Sequence, residues 1–160
     1  MDDTSHTPLA APRTEDGRSF VVAGLQEHVT FDNLAALPGL WQRLTPHLGH
    51  IPGQIGSVAY GVCHNTDENG FDYIAGVEVA NSAAPPRDFA TLTLAPQRYA
   101  VFTHTDHIST VRGTFMAIFN DWMPRLGLQS ADAPVFERYD ERFDSRTGMG
   151  GFEIWIPVRA

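Results

Sequence analysis

The stretch best suited to chemistry is Phe136-Glu137-Arg138-Tyr139, a carboxylate set between aromatic side chains and beside apolar Val135. Aromatic walls that exclude water raise a carboxyl pKa, and a bound cation lowers it again, so such a group can recognise positive charge. The residues alone leave a second reading open: a solvated carboxylate at a strand edge, paired with Arg138 or Arg142. Asp72, Glu78 and Glu153 also fall in or beside extended stretches. Glu78 and Glu153 read as an outward-facing, solvent-exposed pair in corresponding places of two halves of the chain.

Aromatic residues make up 11% of the chain, and Trp41, Tyr60, Tyr73, Phe119, Trp122 and Trp155 sit on segments that would face a cleft or the core. A cation held over such a ring gains roughly 0.5–2 kcal/mol. Taken singly, each also suits ordinary core packing. Trp41 and Tyr60 are the first choices for pocket walls, because helix ends and strand alternation put them near the junction of the two halves.

Other chemistries find less support. His47 and His50 are three apart, and His104-Thr105-Asp106-His107 gathers two histidines and an aspartate. Pro46 and Gly49 spoil a helical pair, and no third ligand is set by spacing, so no metal and no cofactor are expected. His104 reads as the end of a strand, with Thr105 or Asp106 capping the next helix. Cys63 is the single cysteine, which excludes an intrachain disulfide and a CxxC pair. All eleven basic residues are arginine, so lysine Schiff-base chemistry is excluded. Gly148-Met149-Gly150-Gly151 precedes a strand rather than a helix and is not a phosphate loop.

The elements that must hold these residues are legible in outline. Residues 1–17 read as a flexible lead-in, with the fold beginning near Arg18. Phe20 to Leu25 is a β-prone run, and Asp32-Asn33 offers a cap to a helix carrying Leu34, Leu37, Leu40, Trp41, Leu44 and Leu48, interrupted or limited by Pro38 and Pro46. Strands over Gly56–His64 and Phe71–Ala80 form a hairpin around a turn with positive φ at its end. A strand over Arg98–Thr103 and a helix over about Ile108–Met123 follow, the helix closed by Pro124 and Gly127. Extended pieces at Val135–Tyr139 and Phe152–Val158 complete the chain.

Strand, helix, strand, strand therefore occurs twice. Each half can cover only one face of its sheet with one helix, so the halves must dock around a pseudo-twofold cleft. The fold class is α+β, with residues 18–160 as one domain, and module junctions are common small-molecule sites.

Bulk properties agree. At 160 residues with 42% hydrophobic and 19% charged residues, the chain can bury a real core. A net charge of -8 opposes a nucleic-acid backbone, so direct nucleic-acid binding is not expected. The polar start and the lack of a long apolar run predict no export signal, no membrane span and a cytoplasmic setting.

Tyr60-Gly61-Val62, Phe71 to Val79, Tyr99 to His104, Trp122-Met123-Pro124, Phe136 to Tyr139 and Glu153 to Val158, in this order, resemble the GyrI-like small-molecule-binding domain. That domain is also the effector-binding half of some AraC-type and MerR-type transcription regulators. The resemblance implies two strand-helix-strand-strand modules around a cleft, in which Glu137 meets lipophilic and cationic ligands. The expected role is a stand-alone binder acting in regulation or in drug sequestration, with Glu137 placed by the resemblance and Tyr60, Trp41, Tyr73, Phe119, Trp122 and Trp155 placed by their segments as candidate contacts. Any protein partner is unspecified, and with no helix-turn-helix region DNA control would need a separate protein. The alternative is a hydrolase that opens cyclopropane-bearing toxins, with Glu137 as general base and Tyr60 polarising a carbonyl.

Overall fold

The structure, a computed structural model, describes residues 9–81 and 84–159. Among the described residues eight strands form one antiparallel sheet: β1 (Arg13–Gly17), β2 (Phe20–Thr30), β3 (Gln54–His64), β4 (Gly70–Val79), β5 (Ala90–Leu94), β6 (Gln97–His104), β7 (Val135–Tyr139) and β8 (Phe152–Val158). Helix α1 (Ala36–Leu44) lies between β2 and β3. Helix α2 (Val111–Ala117) lies between β6 and β7, entered through a 3-10 turn (Ile108–Thr110). It continues through a π turn (Ile118–Trp122) into a last helical turn, α3 (Met123–Arg125). Among the described residues no helix is long and apolar enough to cross a membrane.

The sheet order β1-β6-β8-β7-β3-β4-β2-β5 makes the duplication explicit. Outward from the centre, one half runs β3-β4-β2-β5 and the other β7-β8-β6-β1. The halves meet where β3 pairs with β7, in the register Ala59↔Tyr139, Gly61↔Glu137, Cys63↔Val135. Each half takes its edge strand from the other half's stretch of chain. β1 precedes β2 in sequence yet pairs with β6, and β5 precedes β6 yet pairs with β2.

That exchange curls the sheet. Only Arg18-Ser19 joins β1 at one edge to β2 beside the other, and only Ala95-Pro96 joins β5 to β6. Three residue steps span at most about 11 Å, so the edges must approach one another. The rings agree, since Phe20 on β2 and Phe136 on β7 lie 5.8 Å apart, although β4 and β3 separate their strands. A flat sheet would put them about 14 Å apart. The result is a half-barrel with both helices outside.

Three cores follow. On the outer face, one half packs Ala23, Phe71, Tyr73, Ala75 and Val77 under Leu40 and Leu44 of α1. The other packs Phe102, Phe152, Ile154 and Ile156 under Ile118 and Met123. Trp41 packs against both. The inner face has its own core of Val22, Tyr60, Val62, Ile74, Leu94, Tyr99, Val101 and Phe136. Strands β4 and β8 are covered on both faces, which is why their sequences are apolar almost throughout.

Several expectations need correction. The stretch read as a lead-in lies partly outside the described residues, but Arg13–Gly17 within it is a strand, so the sheet starts before Arg18. Strand β5 was not expected; its alternation of Thr91 and Thr93 with Leu92 and Leu94 is the period-2 signal that marks it. Asp32-Asn33 does not cap α1, which starts after Ala35 with no side-chain cap. His107, not Thr105 or Asp106, caps the second helix by accepting from the Ser109 N–H. In the β3–β4 turn positive φ falls on Asn65, at the start, not on Gly70. Glu78 and Glu153 are buried rather than exposed. Arg18 pairs with Glu78 at 2.8 Å and Arg13 with Glu153 at 2.9 Å, which makes their burial tolerable. The two also do not correspond: Glu78 lies across from Val22, and Glu153 across from Thr103.

Candidate functional site

Strand alternation puts Glu137 and Tyr139 on the outer face of β7, and Phe136 and Arg138 on the inner face. Glu137 is 8% exposed. Across from it on β3 stands Gly61, and a Cβ there would lie 2.6 Å from Glu137 Oε1 and closer still to the Tyr73 hydroxyl. The space that Gly61 leaves is the space in which these two polar groups meet.

Tyr73 Oη donates to Glu137 Oε1 at 2.7 Å, and Tyr139 Oη donates to the same oxygen at 2.9 Å. Trp41 Nε1 donates in turn to Tyr73 Oη at 3.0 Å. The Trp41 ring stands edge-on to both tyrosines, with centroids 6.4 Å from Tyr73 and 5.5 Å from Tyr139. A carboxylate at the seam of the two halves is thus fixed by one tyrosine from each and covered by a tryptophan of α1. Neither tyrosine takes Oε2.

The electrostatics follow from this enclosure. Burial pushes the Glu137 carboxyl above its ordinary value, and the two tyrosine hydroxyls oppose that rise. Burial and the neighbouring carboxylate hold Tyr73 and Tyr139 well above the ordinary phenol value, so both stay protonated donors. Cys63, across from Tyr73 on β4, is likewise pushed up by burial and by Glu137. The alternative of Glu137 as a solvated carboxylate paired with Arg138 or Arg142 does not hold. Arg142 binds Asp140 at 2.9 Å, and Arg138 points to the other face.

Of the residues singled out from sequence, the structure brings together Glu137, Tyr73 and Trp41. Tyr60 and Trp155 lie on the inner face, so Tyr60 cannot act on a group bound at Glu137. Phe119 is 41% exposed and stacks on Phe115. Trp122 packs in the second outer core and donates to the Leu9 carbonyl at 3.2 Å. Sequence reasoning passed over Tyr139 and Gly61. Period-2 spacing from Glu137 points to Tyr139, whereas Gly61 needs the β3–β7 register, which no local pattern reveals. Among the described residues no group of three metal-ligating side chains occurs.

The sequence matches the GyrI-like small molecule binding domain over residues 11–159. The chain belongs to that family. A curated relative, the transcriptional regulator BrlR of Pseudomonas aeruginosa, is 33% identical over 121 residues, covering 74% of this GyrI-like chain and 45% of BrlR. The chain thus spans less than half of that regulator. Among solved structures, SAV2435 bound to tetraphenylphosphonium superposes with a TM-score of 0.74 at 21% identity, over 94% of this chain and 95% of that one. A hydrolase encoded by lin2189 from Listeria innocua superposes at 0.55 and 10% identity, over 93% and 92%. At these identities the structures establish the GyrI-like fold.

Proposed function

We propose that the domain binds lipophilic aromatic cations at Glu137, as a sensing or sequestering module. The observation that carries this reading is a nearly buried carboxylate whose one oxygen is held by Tyr73 and Tyr139 under Trp41. A cation with aromatic bulk replaces the missing water with charge and ring contacts, which makes burial of the carboxylate favourable. The tetraphenylphosphonium bound to SAV2435 is a ligand of this chemistry.

Entry requires Trp41 to move, and α1 suits that task. It has nine residues, no side-chain cap, and Pro38 and Gly39 within it, so little intrinsic helix stability is lost when it shifts. Family membership and the likeness to a regulator support a role in regulation or drug sequestration within the cell. Hydrolysis with Glu137 as general base is the alternative. It would have to work without Tyr60, with Tyr73 or Tyr139 as the hydroxyl donor.

The test is calorimetric titration of tetraphenylphosphonium into wild type and Glu137→Gln. The expected result is binding to wild type that weakens about tenfold or more in the variant, with the fold retained. Equal affinity for both proteins contradicts the assignment.

A further inference from the structure

The inner face of the half-barrel carries an opening that Glu137 does not line. Where β1 leads into β2, a groove of about 360 Å³ is lined by Phe20, Tyr60, Tyr99, Phe136 and Trp155, with Arg138 among its polar groups. Small-molecule sites have roughly 300–1,000 Å³ and favour barrel mouths. The five rings are continuous. Phe136 stacks on Trp155 at 5.3 Å, Tyr99 stands edge-on to both at 5.3 Å, and Phe20 and Tyr60 close the other side.

The charged groups at this mouth differ in how fully they are engaged. Arg18 grips Glu78 through two contacts of 2.8 Å, and Asp16 meets Arg98 at 3.2 Å. Glu153 takes Arg13 at 2.9 Å and the Trp155 indole N–H at 3.1 Å. Asp140 takes Arg142 at 2.9 Å. Arg138 reaches Asp140 and Glu153 only at 3.6 and 3.7 Å, beyond the roughly 2.7–2.9 Å of a charge-assisted hydrogen bond. Its side chain keeps 32% of its surface exposed. A guanidinium is a planar fork of donors that matches a carboxylate. Asp140 and Glu153 have closer arginines in Arg142 and Arg13, the latter shared with Glu15 at 2.7 Å, so the Arg138 fork is the least tightly engaged guanidinium here and has donors to give an incoming carboxylate.

We propose that this groove binds a planar aromatic carboxylate, its ring against Phe136 and Trp155 and its carboxylate on Arg138. Adjacent residues of one strand would then serve opposite ligands on opposite faces, Glu137 a cation outside and Arg138 an anion inside. The proposal does not depend on the Glu137 reading.

The experiment titrates 2-naphthoate and its neutral amide, 2-naphthamide, into the full chain by calorimetry at pH 7. Wild type and Glu137→Gln are expected to bind the carboxylate at least tenfold more tightly than the amide, and Arg138→Gln is expected to lose that preference. On wild type alone, nuclear Overhauser contacts should run from the naphthoate ring to Trp155 and Tyr99. The proposal is overturned by no binding at millimolar naphthoate, by equal binding of acid and amide, by a preference that survives Arg138→Gln, or by contacts to Trp41 and Tyr139 instead.

Discussion

Gly61 lies directly across from Glu137 at the seam of the two halves, and the side chain it lacks is the room in which the Glu137 carboxylate meets the Tyr73 hydroxyl. Any Cβ at position 61 must displace one of them. Gly61→Ala is therefore expected to destabilise the fold by about 1–3 kcal/mol, as overpacking does. It should also weaken tetraphenylphosphonium binding. Urea unfolding together with a ligand titration reads both, and unchanged values for both would show that the close packing around Glu137 does not matter.

Tyr73 and Tyr139 donate to the same oxygen of Glu137, so their effects should not add. Each Tyr→Phe substitution removes a hydrogen bond to a carboxylate, an effect of about 1.5–3 kcal/mol, and raises the Glu137 pKa further. The double variant is expected to differ from the sum of the singles in a double-mutant cycle. Strict additivity would mean that the two donors act independently.

The raised pKa of Glu137 has a definite sign in pH dependence. Between the ordinary carboxyl value and the raised one, the folded state keeps a proton that the unfolded chain has lost, so this group's contribution falls as pH rises through that window. Stability of wild type relative to Glu137→Gln should decline from acid toward neutral pH in chemical unfolding. Asp72 and Asp140 act oppositely in both proteins, because their lowered values favour the fold above the ordinary range, and they cancel in the comparison.

Cys63 packs against the first outer core, and burial and Glu137 push its thiol up. Its reaction with iodoacetamide at pH 8 should be at least tenfold slower than that of glutathione, because the thiolate is the reactive form. Trp41→Ala should speed it by opening the cover above Tyr73. A rate equal to free thiol in the wild type would show that this side of the site is open to solvent.

Much of this arrangement was legible in the sequence. The doubled strand-helix-strand-strand order showed in apolar periodicity, and strands at Val135–Tyr139 and Phe152–Val158 were bounded as the structure has them. Glu137 stood out for its aromatic neighbours. What stayed hidden is non-local. β1 carries Arg, Thr, Glu, Asp and Gly and is a strand only because β6 offers it an edge. Tyr60 looked like a neighbour of Glu137, yet it sits one residue from Gly61 along β3 and so faces the inner core. Glu78 and Glu153 looked solvated because their partners, Arg18 and Arg13, are 60 and 140 residues away in sequence.

In the proposed site Glu137 is a desolvated carboxylate that a cationic ligand converts to its charged form. Carbon-13 NMR of the Glu137 side-chain carboxyl, titrated over pH with and without tetraphenylphosphonium, tests it directly. The expected midpoint lies above the ordinary 4.5 in the free protein and falls when the ligand binds. A midpoint that is the same with and without saturating ligand would contradict it.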